Sequence, residues 1–233
     1  MDDAPPELLE LPSGQALVSW RRSSRARRVS LRIDPRFGAV VVTLPPRASR
    51  GAGMALLMDH AGWVSDRLAA LPDALPFVDG AMVPIRDVPH RIVHRPAARG
   101  GAWIEGQEIH VAGEAAFVAR RVHDLLRILA RRQLGEHVAR KTAMLGCQAT
   151  RLTVRDTSSR WGSCAPNGGL SFSWRLVMAP DAVQDYVAAH EVAHLQHMNH
   201  GRRFWALVDR LTPHAETAKD WLHEHGARLL RVG

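Results

Sequence analysis

Apolar and polar residues alternate over 16–20 and 29–33, the period-two pattern of strands with one buried face, and a mostly apolar stretch follows at 39–44. Asp34-Pro35-Arg36-Phe37-Gly38 separates the last two stretches and predicts a hairpin turn. After Pro45-Pro46 the period changes. Met54, Leu57, Met58, Ala61, Val64 and Leu68 recur three and four apart, so a helix is expected from a Ser49 cap to about residue 71, where Pro72 and Pro76 end it. Short apolar runs at 77–78, 81–83, 91–94, 103–104 and 109–111, spaced by Gly80, Gly100-Gly101 and Gly106, return the chain to strands.

From 114 to about 145 one long helix is predicted. Phe117, Val118, Val122, Leu125, Leu126, Leu129 and Leu134 fall at helical spacing, most arginines lie on other faces, and Gly146 stops it. A strand at 152–154, a loop at 158–169 and a strand at 170–175 follow. Pro180 suits the first turn of the next helix, with Asp181 at its positive end, and two more helices are expected at about 203–211 and 216–225. The reading is α+β. It divides into a mostly β accessory region with one helix over 1–112 and a helical domain with a small sheet over 113–233.

Composition narrows the setting. A chain of 233 residues with 46% apolar content can bury a core as one large or two small domains. No apolar run approaches the ~20 residues of a membrane span. Met1-Asp2-Asp3-Ala4-Pro5-Pro6 is acidic and lacks the pattern of a signal peptide. Cys147 and Cys164 are too few for a disulfide framework and fit a reducing cytoplasm. The net charge of +8 is uneven: 14 Lys/Arg stand against 12 Asp/Glu over 1–113, and 17 against 11 over 114–233. That balance permits weak nucleic-acid binding through a basic surface, with Arg21, Arg22, Arg25, Arg27 and Arg28 as candidate phosphate contacts. A solvated loop and strand edge is the alternative meaning of that run.

The chemistry concentrates in His190-Glu191-Val192-Ala193-His194-Leu195-Gln196-His197-Met198-Asn199-His200. Residues four apart share a helix face, so His190 and His194 can bind one metal. Glu191 beside them is placed to work on a metal-held water. Three protein ligands and one open position are the pattern of a catalytic zinc. Tyr186, Val187, Val192 and Ala193 give this helix an apolar face, and burying so many polar side chains without a metal is costly.

His200 is the expected third ligand. On an unbroken helix it would point away from the zinc, since ten residues rotate about 1000°. The helix must therefore end between His194 and His200, with Asn199 the candidate to take the left-handed conformation ahead of Gly201. Asp209 and Glu216 on later helices are the rival third ligands. His197 can line the cleft or act as a hydrogen-bond donor to a ligand, or simply face solvent. Arg160 and Arg175 can bind a substrate carboxylate or an oxyanion, or equally can tie the Trp161-Gly162 loop to the domain.

Several motifs together resemble a known family. Ser159-Arg160-Trp161-Gly162-Ser163-Cys164, Trp174-Arg175-Leu176, Met178-Ala179-Pro180, His190-Glu191-x-x-His194, Asn199-His200 and Phe204-Trp205 look like the YgjP-like metallopeptidase domain, a group related to the SprT-like and WLM metallopeptidases. The arginine-rich opening and Pro45-Pro46 extend the resemblance over nearly the whole chain, and His197 departs from it. The resemblance implies a zincin-like fold, in which a helical domain carries the zinc beside a small sheet, and it alone puts Cys164 near the site.

Two enzyme readings stand open. One is a zinc peptidase acting on a peptide or protein, with Glu191 as general base and the strand at 169–175 aligning the substrate by strand addition. The other is a zinc-dependent hydrolase of a nucleotide or another small phosphorylated substrate, which positive charge on the catalytic half favours. A DNA-associated protein with structural zinc is the third reading, against which stands the usual need for four protein ligands.

Overall fold

The computed structural model describes residues 5–233. Strands β1 (Glu7–Leu11), β2 (Gly14–Arg22), β3 (Ser30–Asp34) and β4 (Ala39–Leu44) form one sheet in the order β1-β2-β4-β3. The expected hairpin is β3–β4, with Ile33 opposite Val40. β2 runs parallel to β4. Val18, Trp20, Val40 and Val42 are buried in a core shared with Leu57, Ala61 and Val64. The last three come from α1 (Arg50–Asp59) and α2 (Ala61–Ala69). Ser49 Oγ accepts the Ala52 N–H at 3.1 Å, as its cap position predicts. The helix expected to run unbroken is interrupted at His60, whose ψ of 19° ends α1 before α2 begins. Arg22 donates to the carbonyls of Pro45, Pro46 and Ala48 at 2.7–3.0 Å, so one arginine of the basic run ties down the loop before α1.

A second sheet, in the order β5-β6-β8-β7, contains β5 (Met82–Ile85), β6 (Val88–Arg95), β7 (Ala102–Glu105) and β8 (Glu108–Ala112). The long helix α3 (Val118–Leu145) follows and ends on Gly146, whose φ of 61° suits a residue without Cβ. A third sheet has the order β10-β11-β9, from β9 (Arg151–Arg155), β10 (Gly162–Cys164) and β11 (Gly169–Ser173). Then come α4 (Asp181–Ala193), α5 (Arg202–Leu211) and α6 (Ala215–Leu230). Among the described residues no helix is long and apolar enough to cross a membrane.

The chain separates into two compact units, Met1–Asp73 and Ala74–Gly233, so the division lies well before the expected 112/113. Burial is the reason. Val83, Ile85, Ile92, Ile109 and Val111 of the second sheet share one core with Val122 and Leu126 of α3 and with α4 and α5. The Arg86 and Asp87 N–H groups also donate to Val177 O and Met178 O at 2.9 Å.

The strand expected at 170–175 gives way at Trp174, where a 3-10 turn covers Trp174–Met178. β11 is the central strand of its sheet, hydrogen-bonded to β10 on one edge and β9 on the other. Strand addition at β11 is therefore excluded, and the edge strands are β9 and β10, the latter within a stretch read as loop.

A buried ionic cluster locks α3, α4 and α5 together. Lys141 Nζ donates to Asp185 Oδ1 at 2.7 Å and to Leu211 O at 2.6 Å. His137 lies between Asp185 and Asp181, at 3.2 and 3.3 Å. Burial pushes the Asp185 carboxyl up, but hydrogen bonds from His137, Lys141 and Thr212 outweigh it and hold the group well below the usual carboxylate range. The cluster anchors the first turns of the helix that carries the histidines.

Candidate metal centre

α4 is buried along most of its length, with Val183, Val187, Ala188, Ala189, Val192 and Ala193 each at 4% exposure or less. His190 and His194 share one face, and their ring centroids lie 5.1 Å apart. The helix stops at Ala193, earlier than ligand geometry alone required. Its end tightens through short-range bonds: Leu195 N–H to Val192 O, Gln196 N–H to Ala193 O and His197 N–H to Ala193 O, at 3.0–3.1 Å. The Gly201 N–H closes on Asn199 O at 2.8 Å. Asn199 does not take the expected left-handed conformation, since Arg86 and Asp87 are the non-glycine residues with positive φ among those described. A helix end closed by such bonds turns the chain without a left-handed residue.

This turn returns His200 to the other two. Ligating atoms of His190, His194 and His200 all lie within 4.8 Å of one another, and the His200 and His190 Nε2 atoms are 3.1 Å apart. His194 Nδ1 donates to the His197 carbonyl at 3.0 Å, which leaves Nε2 as its free lone pair. His197 thus contributes its backbone oxygen and not its ring. Asp209 and Glu216, the rival ligands, are not part of the cluster.

The donor set fits a divalent metal. Two ligands of a tetrahedral zinc with bonds of about 2.0–2.1 Å sit about 3.3 Å apart, close to the His190–His200 separation. At that separation the two nitrogens either share a proton or, with both lone pairs turned inward, hold a cation between them. Burial, with the neighbouring His194, His200 and Lys219, pushes His190 down to about 4, so its ring is neutral at pH 7 and its nitrogen available. His190 Nδ1 is buried without a hydrogen-bond partner. Phe204 of α5, fully buried, sets its ring against all three imidazoles at centroid distances of 5.0, 4.5 and 4.7 Å.

Glu191 is 6% exposed and faces a cavity of about 440 Å³ that His190 also lines. Burial pushes its carboxyl up to about 7, against the opposing charge of Arg160. A cation among the histidines would favour its charged form. Gly162 of β10 fits against it. A Cβ there would lie 2.5 Å from Glu191 Oε1 and 2.6 Å from its Cγ, so the close approach requires glycine.

Of the proposed substrate arginines, the structure brings Arg160 to the cavity. Arg175 is elsewhere: it is 3% exposed, hydrogen-bonded to Asp156 and to Val232 O, and lies over the Trp174 ring at 4.5 Å. An arginine held this way braces the end of β11 and does not meet substrate. Burial, with the Glu191 charge, pushes the Cys164 thiol up, away from the thiolate that binds metal. Sequence reasoning missed Lys219, Leu222 and His223 of α6, which line the cavity, and nothing in their spacing marks them. Phe204 and Gly162 were visible as motif members, with no sign of what they touch.

Compared with known proteins, residues 27–225 match the family described as YgjP-like, metallopeptidase domain. Among solved structures, the chain is similar to one described as the crystal structure of the metallopeptidase zymogen of Pyrococcus abyssi abylysin. The two are 18% identical with a TM-score of 0.36, and the match covers 39% of this chain and 92% of that one. No curated protein matches.

Proposed function

The chain belongs to the YgjP-like metallopeptidase family, and on that premise we propose that it hydrolyses peptide bonds at a zinc centre held by His190, His194 and His200. The observation that carries the reading is the convergence of three imidazole nitrogens within 4.8 Å beside a buried carboxylate facing the same cavity. Zinc bound there supplies Lewis acidity, lowering the pKa of a water to about 7 and polarising a carbonyl oxygen.

The remaining work falls to the chain. Glu191 accepts a proton from the attacking water on a carboxylate oxygen and returns it to the leaving nitrogen. The His197 carbonyl holds His194 in the tautomer whose Nε2 is free. Phe204 excludes water from one side of the three rings. β10, the edge strand against Glu191, offers backbone groups to an extended substrate. Zinc content and peptide turnover test this directly. Glu191→Gln should keep zinc and lose nearly all turnover, whereas His194→Ala should lose both. Full activity in metal-loaded Glu191→Gln would end the mechanism.

The nucleotide-hydrolase reading draws on one observation, the two cations Arg160 and Lys219 at the cavity. Turnover of peptides set against release of phosphate or pyrophosphate from nucleotides separates the two. A structural zinc would need a fourth protein ligand, and among the described residues the cluster has three.

A further inference from the structure

Lys219 has no place in the mechanism above, yet α6 delivers its side chain to the cavity beside Glu191. We propose that this cavity recognises a carboxylate close to the scissile bond, held by Lys219 and Arg160, with an apolar side chain of the same peptide against Trp161, Val187 and Leu222. The inference rests on the peptidase reading and names its substrate class.

The two cations reach the cavity from separate elements. Arg160 precedes β10 and Lys219 lies on α6, and both line the cavity with Tyr186, His190 and Glu191. Lys219 Nζ lies 4.7 Å from the Trp205 ring centroid, and that ring lies 5.8 Å from both His190 and His200. The ammonium is thus within about three residues of extended chain from the imidazoles, at about 3.3–3.6 Å per residue. A carboxylate on the residue beside the scissile bond falls within that reach. A lysine or arginine side chain would instead meet two like charges.

Lys219 already holds a carboxylate, the Glu216 oxygen at 2.8 Å. The Glu216 side chain is 84% exposed, and a pair so open to water contributes little. A ligand carboxylate brought in with an apolar group is better shielded and displaces it. The apolar walls and the open edge of β10 favour a peptide over a phosphorylated small molecule. The carboxylate has two sources, a free C-terminus or an acidic side chain.

Calorimetric binding to the metal-loaded full chain, independent of turnover, tests this with four probes: acetyl-leucine, acetyl-leucinamide, acetyl-glutamic acid α-amide and AMP. Acetyl-leucine, the glutamate amide or both should bind about tenfold more tightly than acetyl-leucinamide, and the preference should shrink with added salt. The tighter of the two identifies the source. Lys219→Glu, at a half-exposed helix position, should abolish the preference, and a melting curve checks that it folds. Equal binding of all the acetyl compounds overturns the inference. So does a preference that survives Lys219→Glu, which would place the carboxylate on the metal, and so does tighter binding of AMP. Carboxylate preference without turnover of any peptide would instead count against the peptidase reading.

Discussion

Replacing Gly162 with alanine puts a methyl group where the Glu191 side chain lies. The new Cβ would sit 2.5 Å from Oε1, 2.6 Å from Cγ and 2.8 Å from Cδ, whereas ordinary contact begins at 3.4 Å. Rotating the carboxylate end cannot relieve a clash that includes Cγ. Either Glu191 changes χ1 or β10 moves by about 1 Å, and both withdraw the carboxylate from its place. A misplacement of that size costs about 10²-fold in rate. Overpacking adds about 1–3 kcal/mol of destabilisation. The histidines are untouched, so zinc content should stay at the parent level. The assay is kcat and KM on a fluorogenic peptide, beside metal analysis and a melting curve, and the loss should fall on kcat. Rescue separates positioning from general damage. Glu191→Ala removes Cγ and the carboxylate and makes room for the methyl, so in that background Gly162→Ala should cost less stability than it does in the parent chain. Near-parent kcat in zinc-loaded Gly162→Ala would refute the assignment of Glu191 as the base in this position.

Three other outcomes follow from the packing. Phe204→Ala removes the ring set against all three imidazoles and should weaken zinc binding about 10–100-fold, read by competition with a chromogenic chelator, with a loss of about 3–5 kcal/mol in stability. Because the Asp185 carboxyl is held below its unfolded value, the unfolded chain binds the extra proton; that stability is present above about pH 4 and is lost as pH falls further, whereas Asp185→Ala should cost about 3–5 kcal/mol at pH 7 by stranding Lys141, both read by denaturant unfolding. Arg22→Ser should cost about 1 kcal/mol through its three carbonyl partners, while serine at Arg21, Arg25, Arg27 and Arg28 should remove any salt-dependent DNA binding without moving the melt; a parent chain with no such binding returns that run to a solvated edge.

What the sequence determined by itself is local and periodic. Alternation marked β2 and β3, helical spacing marked α1, α2 and α3, and the i, i+4 relation of His190 and His194 put two imidazoles on one face, because these follow from 2.0 and 3.6 residue periods. The need for a chain reversal before His200 was legible too, since an unbroken helix would have aimed it away. How the reversal is made was not. Hydrogen bonds at the helix end achieve it and leave Asn199 in an ordinary conformation. Tertiary structure alone decided which strand has a free edge, because order within a sheet depends on pairings that no local pattern encodes. It sent Arg175 to Asp156 and Arg160 to the cavity, although both arginines sit in similar motifs. It also folded the second sheet into one core with α3, and brought Phe204 and Lys219 from later helices to the histidines of α4. Contacts between residues far apart in the chain are set by the burial of whole faces, and only the folded core selects among them.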